Sequence, residues 1–315
     1  MHTHLKLLAA SSVLALLTIG TAQAAEPDSC QKVRMAEPGW NDLAFTTGIA
    51  AVLLDGLGYQ TKSDVLGIEV IYASLKNKDL DTFLGYWDPA MEVYYKSYRE
   101  DGSVETIKQN LEGAKYTFAV PQYVYDGGVH DFADLTKYAD KFDRKMYGIE
   151  PGSNTIMEQI IKENRFGLGD WKLVESSEQG MLAQVRKALP KKEWILFQGW
   201  APHPMNNEIP MAYLTGGDEW YGPNYGGASV HTQVRKGYVA ECPNVGALLD
   251  NLAFTLPLEN EGMGYIINDA MPPKDAAKKA LLAHPELLPQ WLSGVTTFDG
   301  KDGLAAVKDS LGLVN

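Results

Sequence analysis

The sequence predicts an α/β protein of two lobes, each a sheet flanked by helices, and three observations predict it. The first is the stretch Glu37-Pro38-Gly39-Trp40-Asn41-Asp42. An apolar run at 33–36 reads as a strand before it, and an apolar-periodic run at 43–57 reads as a helix after it, which is half of a βα unit. The second is that two later stretches repeat the strand-to-turn arrangement around an indole: Phe83-Leu84-Gly85-Tyr86-Trp87-Asp88-Pro89 and Trp194-Ile195-Leu196-Phe197-Gln198-Gly199-Trp200-Ala201-Pro202. Turns at the carboxyl ends of strands are where open α/β sheets bind ligands, so Trp40, Trp87 and Trp200 are expected to wall one pocket. The third is size, because a chain of about 290 residues exceeds what one core usually serves.

That length is what remains after a leader. Lys6 gives a positive start, residues 7–19 are apolar but short for a bilayer, and Ala22-Gln23-Ala24 is a small-residue cleavage site. Cleavage after Ala24 leaves 291 of the 315 residues and moves the formal net charge from −12 to −13, since Lys6 leaves and no acid does. Cys30 does not stand at the cleavage junction, so no lipid anchor is expected. The mature chain is expected in the periplasm, soluble and exported. An acidic surface argues against nucleic acid, whose phosphates need Lys and Arg, and against anionic lipid. It mildly favours a cationic ligand, although it also serves ordinary solubility. Cys30 and Cys242 are the only cysteines. In an oxidising compartment the pair reads as one disulfide, with two free thiols as the alternative. His130, His203, His231 and His284 are scattered without ligand spacing, so no metal site is expected.

Taken in order, residues 67–72 read as a second strand and 77–81 as a short polar helix. Residues 82–86 form the strand that delivers Trp87, and 91–98 look helical, with Tyr94 and Tyr98 four apart. The β-like run at 114–125 is long enough to pass between lobes. Residues 132–142 look helical or mixed. A strand at 145–150 feeds the turn Pro151-Gly152-Ser153-Asn154-Thr155 and a helix to Lys162. A strand at 171–175, an amphipathic helix at 179–189 and the strand ending in Trp200 follow. Residues 209–214 read as the return crossing and 216–227 as a long irregular loop. A strand at 231–239, a helix at 244–256 with Pro243 at its start, short helices at 274–283 and 286–291, and a final helix at 302–315 complete the chain. No fixed-period repeat is visible. The expected division is a first lobe of 25–114 with 210–315 and an inserted lobe of 115–209. Two crossings make a hinge, which implies closure around a ligand.

Indole faces carry negative potential and attract cations, most usefully quaternary ammonium groups, which offer no strong hydrogen-bond donor. At about 2 kcal/mol per desolvated ring, three rings supply about 6 of the roughly 8 kcal/mol that micromolar binding requires. Plainer readings stand beside this one. A tryptophan at a strand end often serves packing, and Trp171, Trp194, Trp220 and Trp291 are read that way. Asp42 could only complement a helix dipole, Asn154 could only be an N-cap, and Tyr116 could be an ordinary strand residue. His203, in Pro202-His203-Pro204, is read as ordering its loop.

With Gly85-Tyr86-Trp87-Asp88-Pro89, Pro151-Gly152-Ser153-Asn154 and Gly199-Trp200-Ala201-Pro202-His203-Pro204-Met205 added to the first motif, the mature chain resembles the substrate-binding proteins of bacterial ABC importers for choline and glycine betaine, the OpuAC-type family, and within it the choline-binding members. The resemblance implies a type II periplasmic binding fold with the ligand in the cleft between lobes. It implies a cage of Trp40, Trp87 and Trp200 completed by Tyr116, ligand contacts from Asp42 and Asn154, and a Cys30–Cys242 bridge. It also implies a choline ligand, a membrane permease as partner, a monomer, and no cofactor.

Glycine betaine is the alternative ligand within the same class. A choline-ester hydrolase would need an activated nucleophile and base, and the sequence holds no Gly-x-Ser-x-Gly, His-Glu-x-x-His or Cys–His pairing; the chain is therefore not expected to be an enzyme. A choline sensor would have to act through a separate receptor, and the absence of a phosphate loop agrees with transport powered by another subunit.

Overall fold

The structure, a computed structural model, describes residues 26–313. The expected leader at 1–24 lies outside them, as do the last two residues of the expected final helix, which is observed as Gly303–Leu311. Nine strands form one sheet: β1 (Lys32–Glu37), β2 (Gln60–Val65), β3 (Thr82–Asp88), β4 (Val104–Pro121), β5 (Lys145–Tyr147), β6 (Lys172–Val174), β7 (Leu196–Ala201), β8 (Met211–Tyr213) and β9 (Gly227–Arg235). Their order is β2-β1-β3-β9-β4-β7-β5-β6, with β8 beside β4. Helices cover the sheet, and no helix among the described residues is long and apolar enough to cross a membrane.

β4 joins the two ends of this sheet. Residues 104–115 pair with β9, 115–119 with β7 and 119–121 with β8. Its register against β9 shifts three times, and Gly113 takes a φ of +78° beside the last shift. Such bulges bend a strand, and the positive φ suits glycine. The segment read as the return crossing supplies β8, which lies against the far end of β4. Pairing with the near end resumes at β9.

Buried apolar side chains fall into two clusters. One gathers β1, β3, the helix α1 (Asn41–Gly56) and the C-terminal helices, and the other gathers Phe118, Val120, Phe132, Met146, Ile160 and Leu196. Ala119 and Phe197 belong to the first cluster although their neighbours Phe118, Val120 and Leu196 belong to the second. That is the period-two alternation of a strand buried on both faces. Met181, Leu182 and Val185 of the Glu178–Ala188 helix belong to the first cluster with Phe197 of β7.

Several expectations are corrected. Residues 67–72 are not a strand but the start of α2 (Ile68–Lys76), which buries Ile68, Ile71, Tyr72 and Leu75 at the i, i+3, i+4, i+7 spacing of a helical stripe. Residues 77–81 form a turn, with Lys78 at φ +64°. The strand in that region is β2, whose Gln-Thr-Lys-Ser-Asp-Val sequence looks like loop because it is a mostly exposed sheet edge, and edges are kept polar. The single helix expected at 244–256 is two, Pro243–Asn251 and Leu256–Ile267, the second begun by the Thr255 hydroxyl accepting from Leu258 N. The irregular loop at 216–227 contains two one-turn helices, Asp218–Tyr221 and Pro223–Gly226.

Cys30 and Cys242 are joined as a disulfide, their Cα atoms 5.6 Å apart. Gly85 in β3 lets the start of α1 settle on the sheet, since a Cβ there would stand 2.0 Å from Leu43 Cδ1. That seating brings the β1–α1 turn beside Trp87.

Candidate functional site

The site forms where the β1, β3 and β7 strand ends meet the loop after β5. Trp40, Asp42, Trp87, Tyr116, Asn154 and Trp200, all six residues singled out from the sequence, line one pocket. Trp40 precedes α1 in an extended conformation and is half-buried. Its indole Nε1 donates to Glu150 Oε1, which fixes the ring's edge and leaves its face free. Trp87 is the penultimate residue of β3, buried except at Asp88, and Trp200 the penultimate residue of β7; each is 4 % exposed. Both precede a cis prolyl bond, Asp88–Pro89 and Ala201–Pro202. Tyr116 stands directly opposite Trp200 in the β4–β7 register, with its ring 6.4 Å from that of Trp87. Its hydroxyl donates to Ser153 O over 3.4 Å. Trp200 meets the His203 ring edge-on at 5.0 Å.

Asp42 lies in the first turn of α1 and is 2 % exposed. No protein group hydrogen-bonds to its Oδ1. Burial, reinforced by the nearby Glu178 charge, pushes its pKa up to about 7. Among the described residues it is the only carboxylate lining the pocket, and no Lys, Arg or His lines it. Glu37 and Glu150 stand around the same rim, and burial raises both above the usual carboxylate range. Behind Asp42, burial, reinforced by the Asp42 charge, holds Glu259 of the Leu256–Ile267 helix well above that range. The local field is thus acidic and aromatic, with no positive side chain among the described residues lining the pocket to offset it.

Asn154 occupies the N-cap position of the Thr155–Lys162 helix, yet its side chain caps nothing. Oδ1 accepts from Ile149 N at 2.8 Å, and Nδ2 reaches Ile149 O, Glu150 O and Glu175 Oε1, each at 3.0 Å. The amide therefore pins the loop that carries Glu150 and Ser153. His203 orders its loop as expected: Nδ1 accepts from Met205 N, which places the proton on Nε2, and Nε2 donates to Glu178 Oε1 at 3.0 Å.

Sequence reasoning missed Tyr94 and the apolar floor of Ile68, Met91, Ile149 and Met157. Tyr94 donates its hydroxyl to Gly152 O at 2.6 Å and also meets Thr155 Oγ1. The Tyr94–Tyr98 spacing was visible, but Tyr98 stacks on Tyr72, away from the site. Trp171 and Trp291 are core residues, and Trp194 and Trp220 carry Lys141 and Arg165 over their faces; none of the four lines the pocket.

A box of five aromatic rings and one buried carboxylate, with no cationic side chain among the described residues, is suited to a compact organic cation. Negative ring faces accept its charge without requiring a proton donor, and the carboxylate supplies the counter-charge.

Three comparisons bear on this geometry. The profile of the substrate-binding domain of ABC-type glycine betaine transport systems matches residues 31–283. A solved ABC-transporter choline-binding protein in complex with choline is 52 % identical, with a TM-score of 0.90 over 91 % of this chain and all of that one; the same kind of protein in an unliganded semi-closed conformation is 51 % identical, with a TM-score of 0.83 over 90 % of this chain and all of that one. The glycine betaine/carnitine transport binding protein GbuC of Listeria monocytogenes serotype 1/2a is 31 % identical over 157 residues, 49 % of this chain and 51 % of that protein.

Proposed function

This chain belongs to the substrate-binding domains of ABC-type glycine betaine transport systems, and on that premise we propose that it captures choline in the periplasm and delivers it to a membrane permease. The type II periplasmic binding fold supplies the cleft. Trp40, Trp87, Trp200 and Tyr116 surround the trimethylammonium head, Asp42 faces the cation and accepts from the choline hydroxyl, and Asn154 completes the wall at the tail. The observation that carries this reading is that these six residues line one pocket with, among the described residues, a single carboxylate and no cationic side chain. We take the lobes to be 25–114 with 210–315 and the inserted 115–209, the leader at 1–24 to direct export, and the working unit to be a monomer.

Glycine betaine carries the same head, so the rings cannot separate it from choline. Its carboxylate would meet Asp42. Two like charges a few ångström apart cost on the order of 4 kcal/mol at an effective dielectric near 20, against the roughly 0.3–1 kcal/mol that the α1 dipole returns. Choline should therefore bind more tightly. Transport without turnover is the chemistry that fits: Ser153 and Thr155 line the pocket with no His or Lys among the described residues beside them to act as base.

Titration calorimetry of the mature protein against choline, glycine betaine, proline betaine and carnitine tests the ligand. Choline is expected to bind most tightly; betaine binding as tightly would overturn the assignment. Incubation with acetylcholine checks the absence of catalysis, since protein-dependent release of free choline would identify a hydrolase instead.

A further inference from the structure

Helix α1 begins at the ligand site without a cap of its own. Its N-cap residue is Trp40, whose side chain accepts no backbone hydrogen bond. An uncapped helix start leaves amide donors unpaired. The missing acceptor comes from a distant part of the chain. Glu178 opens the Glu178–Ala188 helix and is 1 % exposed. Its Oε2 accepts from Asn41 N at 3.1 Å, and its Oε1 accepts from Asn41 Nδ2. The same Oε1 accepts from His203 Nε2, and His203 rests edge-on against Trp200. None of Asn41, Glu178 and His203 lines the pocket.

We propose that Glu178 is the closure latch of this protein: its carboxylate caps α1 from the opposite lobe and holds the cleft shut over a bound quaternary amine. The proposal rests on the function proposed above and on its division into lobes. Glu178 and His203 lie in the inserted lobe, whereas Asn41 lies in the first. Closing the cleft and capping α1 are then one event. The carboxylate also brings negative charge to the positive end of the helix that carries Asp42. His203 keeps Glu178 aimed and ties its position to a cage indole, so the latch engages when Trp200 is in place. Trp40 to Glu150, and Tyr94 to Gly152 and Thr155, also cross the cleft, and Asn268 Nδ2 donates to Glu208 Oε1 at 3.3 Å between exposed side chains away from the pocket. The Trp40 and Tyr94 contacts use residues that line the pocket, whereas Glu178 and Asn41 are a buried pair that can be altered without touching the cage.

A latch acts on escape, not on capture, because ligand enters the open form. Stopped-flow measurement of intrinsic fluorescence separates the two rates. Glu178→Ala is expected to speed choline dissociation about ten- to hundredfold, the range for removing hydrogen bonds to a buried charge, with the association rate unchanged. Asn41→Ala leaves the His203 contact intact and removes only the side-chain donor; it should speed dissociation less, without lowering the melting temperature of the ligand-free protein. The double variant should dissociate no faster than Glu178→Ala, because both substitutions break one interaction. Saturating choline should slow hydrogen exchange at Asn41 in the wild type and fail to do so in Glu178→Ala. Wild type that binds choline while both variants keep its dissociation rate overturns the latch alone. Wild type that ignores choline but binds another amine of the panel overturns the choline assignment, and the latch is read on that amine. Silence from the whole panel overturns both.

Discussion

Asp42 and Asn154 stand at the starts of two helices on opposite walls of the pocket, each almost fully buried, and their side chains are used in opposite ways. Asn154 is saturated, with both amide ends engaged by the loop it belongs to. Asp42 keeps an oxygen that no protein group satisfies. A buried polar atom without a partner costs stability unless something later supplies the partner. The contrast separates scaffold from site: Asn154 shapes the wall, and Asp42 holds an unmet demand for positive charge.

Removing that demand should have the largest effect. Asp42→Asn keeps the shape and deletes the charge, so choline affinity should fall by up to about 4 kcal/mol at pH 8, while the gap to glycine betaine narrows. Calorimetry on both ligands decides it; an unchanged ratio of the two affinities would remove Asp42 from specificity. Next in size is Trp200→Ala, expected to cost about 2 kcal/mol or more of affinity through lost cation–π attraction and packing. A variant binding as tightly as wild type would make this indole a packing residue. Asn154→Ala should register mainly as stability, losing about 1–3 kcal/mol as the loop's backbone groups lose their partners. If choline binding collapses while melting is unchanged, the amide contacts the ligand directly and the contrast with Asp42 dissolves.

Much of this site was legible because its signals are local. A Pro-Gly turn after an apolar strand places Trp40, and Trp-x-Pro at two strand ends places Trp87 and Trp200, whatever the distant chain does. The three indoles could thus be named before any contact between them was known, whereas Asp42, Tyr116 and Asn154 were added by the family resemblance. What stayed hidden depends on position in the sheet or on partners far away. β2 is polar because it is an edge, so its sequence imitates loop, and α2 is apolar enough over its first turn to imitate the missing strand. The Leu256–Ile267 helix begins at a Thr-Leu-Pro that looks like the end of the previous one. Glu178 looks like an ordinary first-turn acid; nothing within a hundred residues of it announces Asn41. The Cys30–Cys242 bridge, 212 residues in span, was readable only because no other cysteine competes.

The smallest effect expected is on pH dependence, and it follows from the same unpartnered carboxyl. Without ligand, burial and the neighbouring Glu178 charge hold Asp42 near pKa 7 instead of 3.8. An acid whose folded pKa is raised favours its neutral form in the folded state. The ligand-free protein therefore loses stability from this group as pH rises from about 4 to 7. A bound cation reverses the preference, because it stabilises the carboxylate. Below pH 7 binding must expel a proton, and above it the charge is already present. Choline affinity should thus rise with pH, by about tenfold between pH 6 and pH 8, or about 1.4 kcal/mol. Burial raises Glu37, Glu150 and Glu259 in the same direction. Choline itself does not titrate in this range, so the slope belongs to the protein. Calorimetry at pH 6, 7 and 8, in buffers of differing ionisation heat, reads both the slope and the released proton. Asp42→Asn should flatten the profile and abolish most of the release. A wild-type affinity that is flat across this range would mean that Asp42 is already charged before the cation arrives, and that some group of the pocket satisfies it.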